Sequence, residues 1–235
     1  IETMNLKKEI ISGSGFAIVK IPDLKKFEYL RETFLNKMNL DGEKDIFVLR
    51  KKLAQMKNHE INKAMVNLLS FNQASEIMIE SCSKIVEELC GKELLIQRRA
   101  NTIFNLPGEE QRRQWPHYEL MSGISPYTYV MWAPFHDLDD DGGVYYVPQE
   151  KSLETIKIEH QQGLVNGPTI LNKMNTYKPA KLKFGEVIVF NPFILHGNVS
   201  FNSNLARIAC SVRFQDKFKP IMQKNSDFLK LYSLN

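Results

Sequence analysis

The sequence has few cysteines, no long apolar run and no strong charge of either sign. Its three cysteines, Cys82, Cys90 and Cys210, are odd in number and lack metal-finger spacing, so we expect unpaired thiols in a reducing compartment. No apolar run approaches the length of a transmembrane helix, and no signal-peptide pattern opens the chain. These features predict a cytoplasmic protein that has no membrane partner.

Charge and composition are equally moderate. The net charge is +4 over 235 residues, and lysines and arginines form only short runs. Nucleic-acid binding would require a basic stripe interleaved with stacking aromatics, which the sequence lacks, whereas an acidic small molecule is compatible with the charge. Length and apolar content suit a single domain spanning residues 1–235. No pattern in the sequence indicates an oligomeric state.

Residues 1–92 have the apolar periodicity of helices. Apolar side chains recur at helical spacing over 23–40, 59–69 and 73–89, and Gly91 is placed to end the last of these segments. We therefore predict a mostly helical support region.

From residue 93 the pattern changes to the alternation of β-strands. Within 94–105 the even positions are mostly apolar and the odd positions mostly polar, and Pro107-Gly108 ends the run. Further strands are predicted at 127–135, 143–147, 186–190 and 206–214.

Helices followed by short strands favour a mainly β, double-sheet core with helices packed outside. We assign residues 93–215 to this core and 216–235 to a C-terminal extension. The long connection over 149–181 is typical of a lid or a binding loop.

The last predicted strand, 206–214, has two different faces. Apolar side chains alternate with a face that carries Arg207 and Arg213. Two arginines on one face indicate either a solvated surface or a polar cavity that holds anions. We favour the cavity, because arginine matches carboxylates through paired hydrogen bonds.

Three residues have the types and spacing of a metal site. His117 and Glu119 lie two apart, which places them on one face of an extended strand, and His196 follows the apolar strand 186–190. Two imidazoles and one carboxylate on one side of a metal are typical of non-heme iron(II) oxygenases. A second ligand-like cluster, His136, Asp137 and Asp139, we interpret as an acidic β-turn.

Parts of the chain resemble the phytanoyl-CoA dioxygenase-like family in order and spacing over roughly residues 93–215. The resemblance implies a double-stranded β-helix (a cupin-like jelly roll) and an iron(II)- and 2-oxoglutarate-dependent dioxygenase. It also implies that His117, Glu119 and His196 bind iron and that Arg207 pairs with the far carboxylate of 2-oxoglutarate. The segments that carry the resemblance are residues 115–119, 129–148, 185–190, 196–197, 202–203 and Arg207.

The chain departs from the family pattern at several positions. The carboxylate ligand is Glu119 where the family usually has Asp, and the family's Pro-Gly-Ser-His turn reads Pro-Gln-Glu-Lys at 148–151. Asn105 stands where many members place a lysine that contacts the cosubstrate, so more of that binding falls to Arg207. By resemblance we predict that Arg207, Asn105 and Asn198 bind the cosubstrate. Asn198 stands where a small hydroxyl residue often lies near the cosubstrate.

The predicted substrate pocket is polar and positive. Arg99, Asn101 and Arg213, together with Gln97, either line this pocket or satisfy polar neighbours. A long alkyl chain would leave such groups without partners at a cost of roughly 1–3 kcal/mol each. We therefore predict hydroxylation of a polar, acidic small metabolite, such as a sugar acid, a sugar nucleotide or an amino-acid derivative.

Two other classes fit part of the pattern. One is a non-catalytic jelly-roll module that binds a metal or a ligand, and the other is a metal oxygenase or isomerase that does not use 2-oxoglutarate. Arg207 argues against both, because a buried guanidinium requires an anionic partner.

Overall fold

The structure is a computed structural model. It describes residues 5–38, 43, 45–69, 71–107, 116–138, 144–163, 172, 177–198, 204–222 and 229–235, without the side chains of residues 58, 65 and 69. No helix in these ranges is long and apolar enough to cross a membrane.

The N-terminal region is mostly helical, as predicted. Its first long helix begins after Asp23, whose side chain accepts a hydrogen bond from the backbone N–H of Lys26 and so caps the first turn. The predicted helix over 73–89 is broken at Cys82 into two, and Gly91, with φ of 77°, ends the second. The described helices are α1 (Leu6–Ser12), α2 (Leu24–Lys37), α3 (Ile46–Ala54), α4 (Asn58–Leu69), α5 (Ala74–Ser81), α6 (Ser83–Cys90) and α7 (Gln149–Gln161).

The described strands form two antiparallel sheets. The larger has the order β1-β6-β4-β8-β2-β9, with β3 also paired to β8, and the smaller pairs β5 with β7. The strands are β1 (Phe16–Lys20), β2 (Glu93–Gln97), β3 (Asn101–Asn105), β4 (Tyr129–Pro134), β5 (Val144–Tyr146), β6 (Glu186–Phe190), β7 (His196–Asn198), β8 (Arg207–Asp216) and β9 (Leu229–Ser233). This architecture confirms the predicted mainly β jelly roll with flanking helices.

Strand alternation divides the core into two layers. Residues such as Val212 and Phe214 pack with the helices, whereas Trp132, Tyr146 and Ala209 belong to a separate cluster that joins the two sheets. Successive side chains of a strand point to opposite faces, so one side of the large sheet supports the helices while the other faces the small sheet.

Several elements differ from the sequence predictions. The strand predicted over 94–105 is β2 and β3, which follow the same edge of β8 and are separated by residues 98–100. β1, within the helical support region, pairs with β6, and β9, within the C-terminal extension, pairs with β2. The large sheet therefore recruits strands from both ends of the chain.

The connection over 149–181 begins with a helix and not with a loop. Ser152 of α7 donates a hydrogen bond to the carbonyl of Val147 and accepts one from the backbone N–H of Leu195. These contacts hold α7 against the outside of the small sheet. Residues 164–171 and 173–176 of the predicted lid lie outside the described residues.

Candidate metal centre

The two histidines of the predicted site are held opposite each other by backbone hydrogen bonds. The N–H of each residue donates to the carbonyl of the other at 3.0 Å, which makes His117 and His196 an isolated antiparallel bridge. His196 is also the first residue of β7, in register with Tyr146 of β5. The small sheet thus fixes both imidazoles on adjacent extended segments.

Glu119 joins them from a 3₁₀ helix and not from a strand. Tyr118 is extended, with φ of −127° and ψ of 150°, but Glu119 begins the 3₁₀ helix Glu119–Ser122. The expectation that His117 and Glu119 share one face is met, while the strand predicted to cause it ends at Tyr118. Strand spacing therefore predicted correctly that His117 and Glu119 lie together, although a 3₁₀ turn and not a strand places Glu119.

The three side chains converge. One ligand atom from each of His117, Glu119 and His196 lies within 4.8 Å of the other two. The two imidazole ring centroids are 4.2 Å apart, and Glu119 and His196 are only 3% and 5% exposed. Two nitrogens and one carboxylate oxygen in this arrangement are able to hold a divalent transition metal.

Hydrogen bonding of His196 orients the donor atom. Its Nδ1 lies 2.9 Å from the carbonyl oxygen of Ile194, which can only accept, so Nδ1 carries the hydrogen. Nε2 then faces the Oε1 atom of Glu119 at 3.6 Å. A metal ion bound between these two atoms would be coordinated by both lone pairs.

The carboxyl of Glu119 is ionised. Burial on its own raises its pKa, but the neighbouring imidazole of His196 and the positive charge of Arg213 outweigh burial and lower the pKa to about 2. At neutral pH the group is therefore a carboxylate, the form that binds metals.

Arg207 of β8 and Asn105 of β3 are paired in the sheet and bonded through their side chains. Arg207 is 1% exposed, and its Nε and Nη2 atoms donate to the Oδ1 of Asn105 at 3.1 and 2.5 Å. Burial lowers the pKa of Arg207 to about 10, which still leaves it charged at neutral pH. Asn198, the third predicted cosubstrate residue, is buried at the end of β7 in register with Val144.

Tyr146 is a site residue that sequence reasoning missed. Its ring stacks on His196, with centroids 5.7 Å apart, and it is close enough to interact electrostatically with Arg207 and Glu119. Burial raises its pKa far above the usual range, so the hydroxyl keeps its proton. Among the described residues this buried hydroxyl has no hydrogen-bond partner. Alternation within 143–147 does not tell which face of the strand carries Tyr146. The pairing of Tyr146 with His196 places it on the face of the metal site.

A cavity of about 340 Å³ opens beside these residues. Arg99 and Asn101 line it, which is one of the two alternatives left open by the sequence, and its remaining wall is largely apolar, including Phe34, Phe71 and Trp132. Arg99 is exposed at the cavity. The volume suits a small molecule.

Arg213 also lines the cavity but is directed at the metal ligand. Its Nε atom donates to Oε2 of Glu119 at 2.8 Å, and its Nη2 atom lies 2.7 Å from the same oxygen. Gln97 accepts from the backbone N–H of Arg213 and donates to Asn101. These polar groups thus satisfy one another, which is one of the two alternatives left open by the sequence.

His136 lies outside the metal centre. Its Nδ1 bonds to the carbonyl of Asp137 and its Nε2 accepts from the backbone N–H of Ile208. It is 3% exposed, so it is a buried structural histidine. Asp139 lies outside the described residues.

Comparison with known proteins identifies the fold. No protein-family model matches the sequence, and no curated protein sequence gives a significant match. Among solved structures, the non-heme alpha-ketoglutarate-dependent carbocyclase SnoK from nogalamycin biosynthesis matches with a TM-score of 0.56 and 12% identity, over 99% of this chain and 97% of SnoK. HygX from Streptomyces hygroscopicus, with nickel and 2-oxoglutarate bound, matches with a TM-score of 0.54 and 11% identity, over 92% of this chain and 88% of HygX.

The epimerase SnoN, solved with Fe³⁺, alpha-ketoglutarate and nogalamycin RO, also matches. Its TM-score is 0.53 and its identity 12%, over 95% of this chain and 86% of SnoN. At these identities the likeness shows the fold alone, which this chain shares with SnoK, HygX and SnoN. None of these structures singles out the phytanoyl-CoA dioxygenase-like family, so membership of that family stays a prediction.

Proposed function

We propose that this protein is an iron(II)- and 2-oxoglutarate-dependent oxygenase that hydroxylates a C–H bond of a small molecule. The observation that carries the proposal is the convergence of His117, Glu119 and His196 within 4.8 Å at a cavity. Their donor atoms match the two-histidine, one-carboxylate set of iron(II) oxygenases. SnoN, of the same fold, was solved with Fe³⁺ and alpha-ketoglutarate and HygX with nickel and 2-oxoglutarate, which supports the choice of metal and cosubstrate.

In this proposal the two imidazoles and the carboxylate hold the metal from one side. The backbone bridge between His117 and His196 keeps their rings in place, and the carbonyl of Ile194 holds His196 in the tautomer that offers Nε2. Bound iron, together with 2-oxoglutarate and dioxygen, supplies the oxidising chemistry that breaks the C–H bond. The protein supplies orientation and a largely buried site.

Arg207 is proposed to bind the far carboxylate of 2-oxoglutarate. Its burial and positive charge suit an anion, and Asn105 fixes the direction of its guanidinium. The buried hydroxyl of Tyr146 is a protonated donor near the same guanidinium, and a carboxylate bound there would satisfy it. Asn198 is proposed to lie near the same group.

The substrate is proposed to be a small metabolite that carries an acidic group. Arg99 supports this part of the proposal, because it lines the cavity and is exposed there, and Asn101 lies beside it. Arg213 no longer supports it, because its guanidinium is bound to Glu119. The apolar part of the cavity wall favours a substrate whose carbon skeleton is less polar than a sugar acid.

The test is succinate release from 2-oxoglutarate in the presence of iron(II) and dioxygen. We expect stimulation by a subset of small organic acids, and a loss of at least about 100-fold in His196→Ala, since removing one ligand dismantles the metal site. His59→Ala, at an exposed position on α4, should match the unaltered protein. Undiminished succinate release by His196→Ala would contradict the proposed function. Stimulation by acyl-CoA or fatty acids, with none by small acids, would contradict the substrate class.

A further inference from the structure

The carboxylate of Glu119 is divided between two partners. Its Oε1 atom faces Nε2 of His196 at 3.6 Å, on the side where the metal ligands converge. Its Oε2 atom receives two nitrogens of Arg213, Nε at 2.8 Å and Nη2 at 2.7 Å. One oxygen therefore points to the metal site while the other is occupied by a guanidinium.

Arg213 is itself held in place. The Oε1 atom of Gln97 accepts from the backbone N–H of Arg213 at 3.1 Å and from its Nη1 at 3.3 Å. Gln97 is 1% exposed, and its Nε2 donates to the Oδ1 of Asn101 at 2.9 Å. The guanidinium is thus held from β2 by Gln97, which is itself bound to Asn101 of β3.

A glutamate ligand has a particular need for such a restraint. A carboxylate binds a metal through one oxygen or through both, and glutamate has one more rotatable bond than aspartate with which to swing the second oxygen inward. An octahedral ion held by one facial set of ligands keeps its opposite face open, and a second carboxylate oxygen would occupy a position there. The open face is where cosubstrate binds.

We propose that Arg213 is a positioning residue that holds Glu119 as a one-oxygen metal ligand and so keeps a coordination position open for 2-oxoglutarate. The inference rests on the proposed function, because it assigns a task within that metal site. It also explains how glutamate can serve where the resembling family uses aspartate. Arg213 acts through Glu119 and does not contact the cosubstrate.

The experiment uses cobalt(II)-loaded protein under anaerobic conditions. Cobalt(II) accepts the same ligands, and its visible spectrum responds to the number of coordinating atoms. We would measure the cobalt(II) dissociation constant, the spectrum before cosubstrate is added, and the dissociation constant of 2-oxoglutarate by calorimetry. The variants are Arg213→Met, Arg213→Lys and Arg98→Met, the last removing an exposed arginine from the segment between β2 and β3.

In Arg213→Met we expect cobalt(II) affinity within about threefold of the unaltered protein, because the carboxylate remains. Its spectrum should already differ before 2-oxoglutarate is added, and its affinity for 2-oxoglutarate should fall about tenfold or more. Arg213→Lys should restore part of both effects, and Arg98→Met should show neither.

Two results would overturn the inference. An unchanged spectrum with unchanged 2-oxoglutarate affinity means that Arg213 does not constrain Glu119. An unchanged spectrum with weakened 2-oxoglutarate binding means that Arg213 contacts the cosubstrate itself.

Two further measurements keep the outcome clear. If Arg213→Met does not fold, Gln97→Met removes the acceptor that fixes the guanidinium and should shift the spectrum in the same direction; no shift there also overturns the inference. Failure of the unaltered protein to bind 2-oxoglutarate would instead count against the proposed function. The cobalt(II) spectrum without cosubstrate still reports on Arg213 in that case.

Discussion

The two ends of strand β8 carry the same residue on the same face but use it differently. Near one end the Nε and Nη2 atoms of Arg207 donate to the side-chain amide oxygen of Asn105. At the other end Arg213 is bound to the carboxylate of Glu119, so its charge is balanced within the protein. The contact with Asn105 sets the direction of the Arg207 guanidinium, whereas the contact with Glu119 is suited to fix a neighbouring carboxylate.

Because of this difference, the two arginines on the polar face of β8 receive different roles. Arg207 and Arg213 were both candidates for binding an acidic ligand from their alternation alone. The partners that distinguish them come from remote parts of the chain, 102 residues away for Arg207 and 94 residues away for Arg213. Charge in a cavity is therefore informative only when its internal partners are known.

The largest expected effect comes from replacing Arg207 with lysine. Arg207→Lys keeps the positive charge but loses the paired N–H donors of the guanidinium. The half-saturating concentration of 2-oxoglutarate should therefore rise about 30- to 100-fold, equivalent to about 2–3 kcal/mol. Iron affinity should not change. The measurement is succinate release as a function of 2-oxoglutarate, with iron binding determined separately.

Arg213→Lys is the matched control for this prediction. It should raise the half-saturating concentration less than Arg207→Lys does, because its effect reaches the cosubstrate only through Glu119. A larger effect at Arg213 than at Arg207 would show that the two roles have been exchanged.

The Arg207 end of β8 also depends on a buried neutral histidine, and this predicts a pH effect on stability. Burial, and then the positive charges of Arg50 and Arg207, lower the pKa of His136 to about 4. An unfolded histidine, with its pKa of about 6.5, binds a proton at higher pH than the folded one, so folding stability falls as the pH drops below about 6.5. The loss should reach about 2 kcal/mol near pH 5.

His136→Gln should remove most of this pH dependence while lowering stability at neutral pH, since it disturbs the bond to Ile208. Denaturant unfolding at a series of pH values measures both effects. His59→Gln, on the exposed side of α4, should leave the slope unchanged. Parallel pH curves for His136→Gln and the unaltered protein would rule out His136 as the source.

The smallest expected effect concerns the neutral partner of Arg207. Asn105→Ala removes the acceptor that orients the guanidinium but leaves its charge, so 2-oxoglutarate affinity should fall about fivefold, or about 1 kcal/mol. Calorimetric titration of the metal-loaded protein measures the change. An effect as large as that of Arg207→Lys would mean that Asn105 contacts the cosubstrate directly.

Much of the fold was predictable because local periodicity determines which face of an element is buried. The alternation in 206–214 correctly separated the apolar face of β8 from the face with Arg207 and Arg213. The alternation in 94–105 did not reveal the break between β2 and β3. β1 and β9 were missed, because short strands from the ends of the chain are stabilised by their pairing with β6 and β2.

The candidate site was predictable to the extent that it depends on residue type and short spacing. His117, Glu119 and His196 do converge, although the 3₁₀ turn at Glu119 was not expected. Tyr146 was missed, because only the pairing of β5 with β7 places its ring on His196. Local sequence patterns thus identify candidate site residues, but contacts between distant parts of the chain determine what each residue does.

The central claim is that three converging side chains bind a metal that in turn binds 2-oxoglutarate. The most direct measurement is an anaerobic titration of the iron(II)-loaded protein with 2-oxoglutarate, followed by visible absorption. We predict a weak charge-transfer band that saturates with one cosubstrate per protein and is absent in His196→Ala. A protein that binds iron(II) but develops no such band, or one in which His196→Ala develops the same band, would contradict the account.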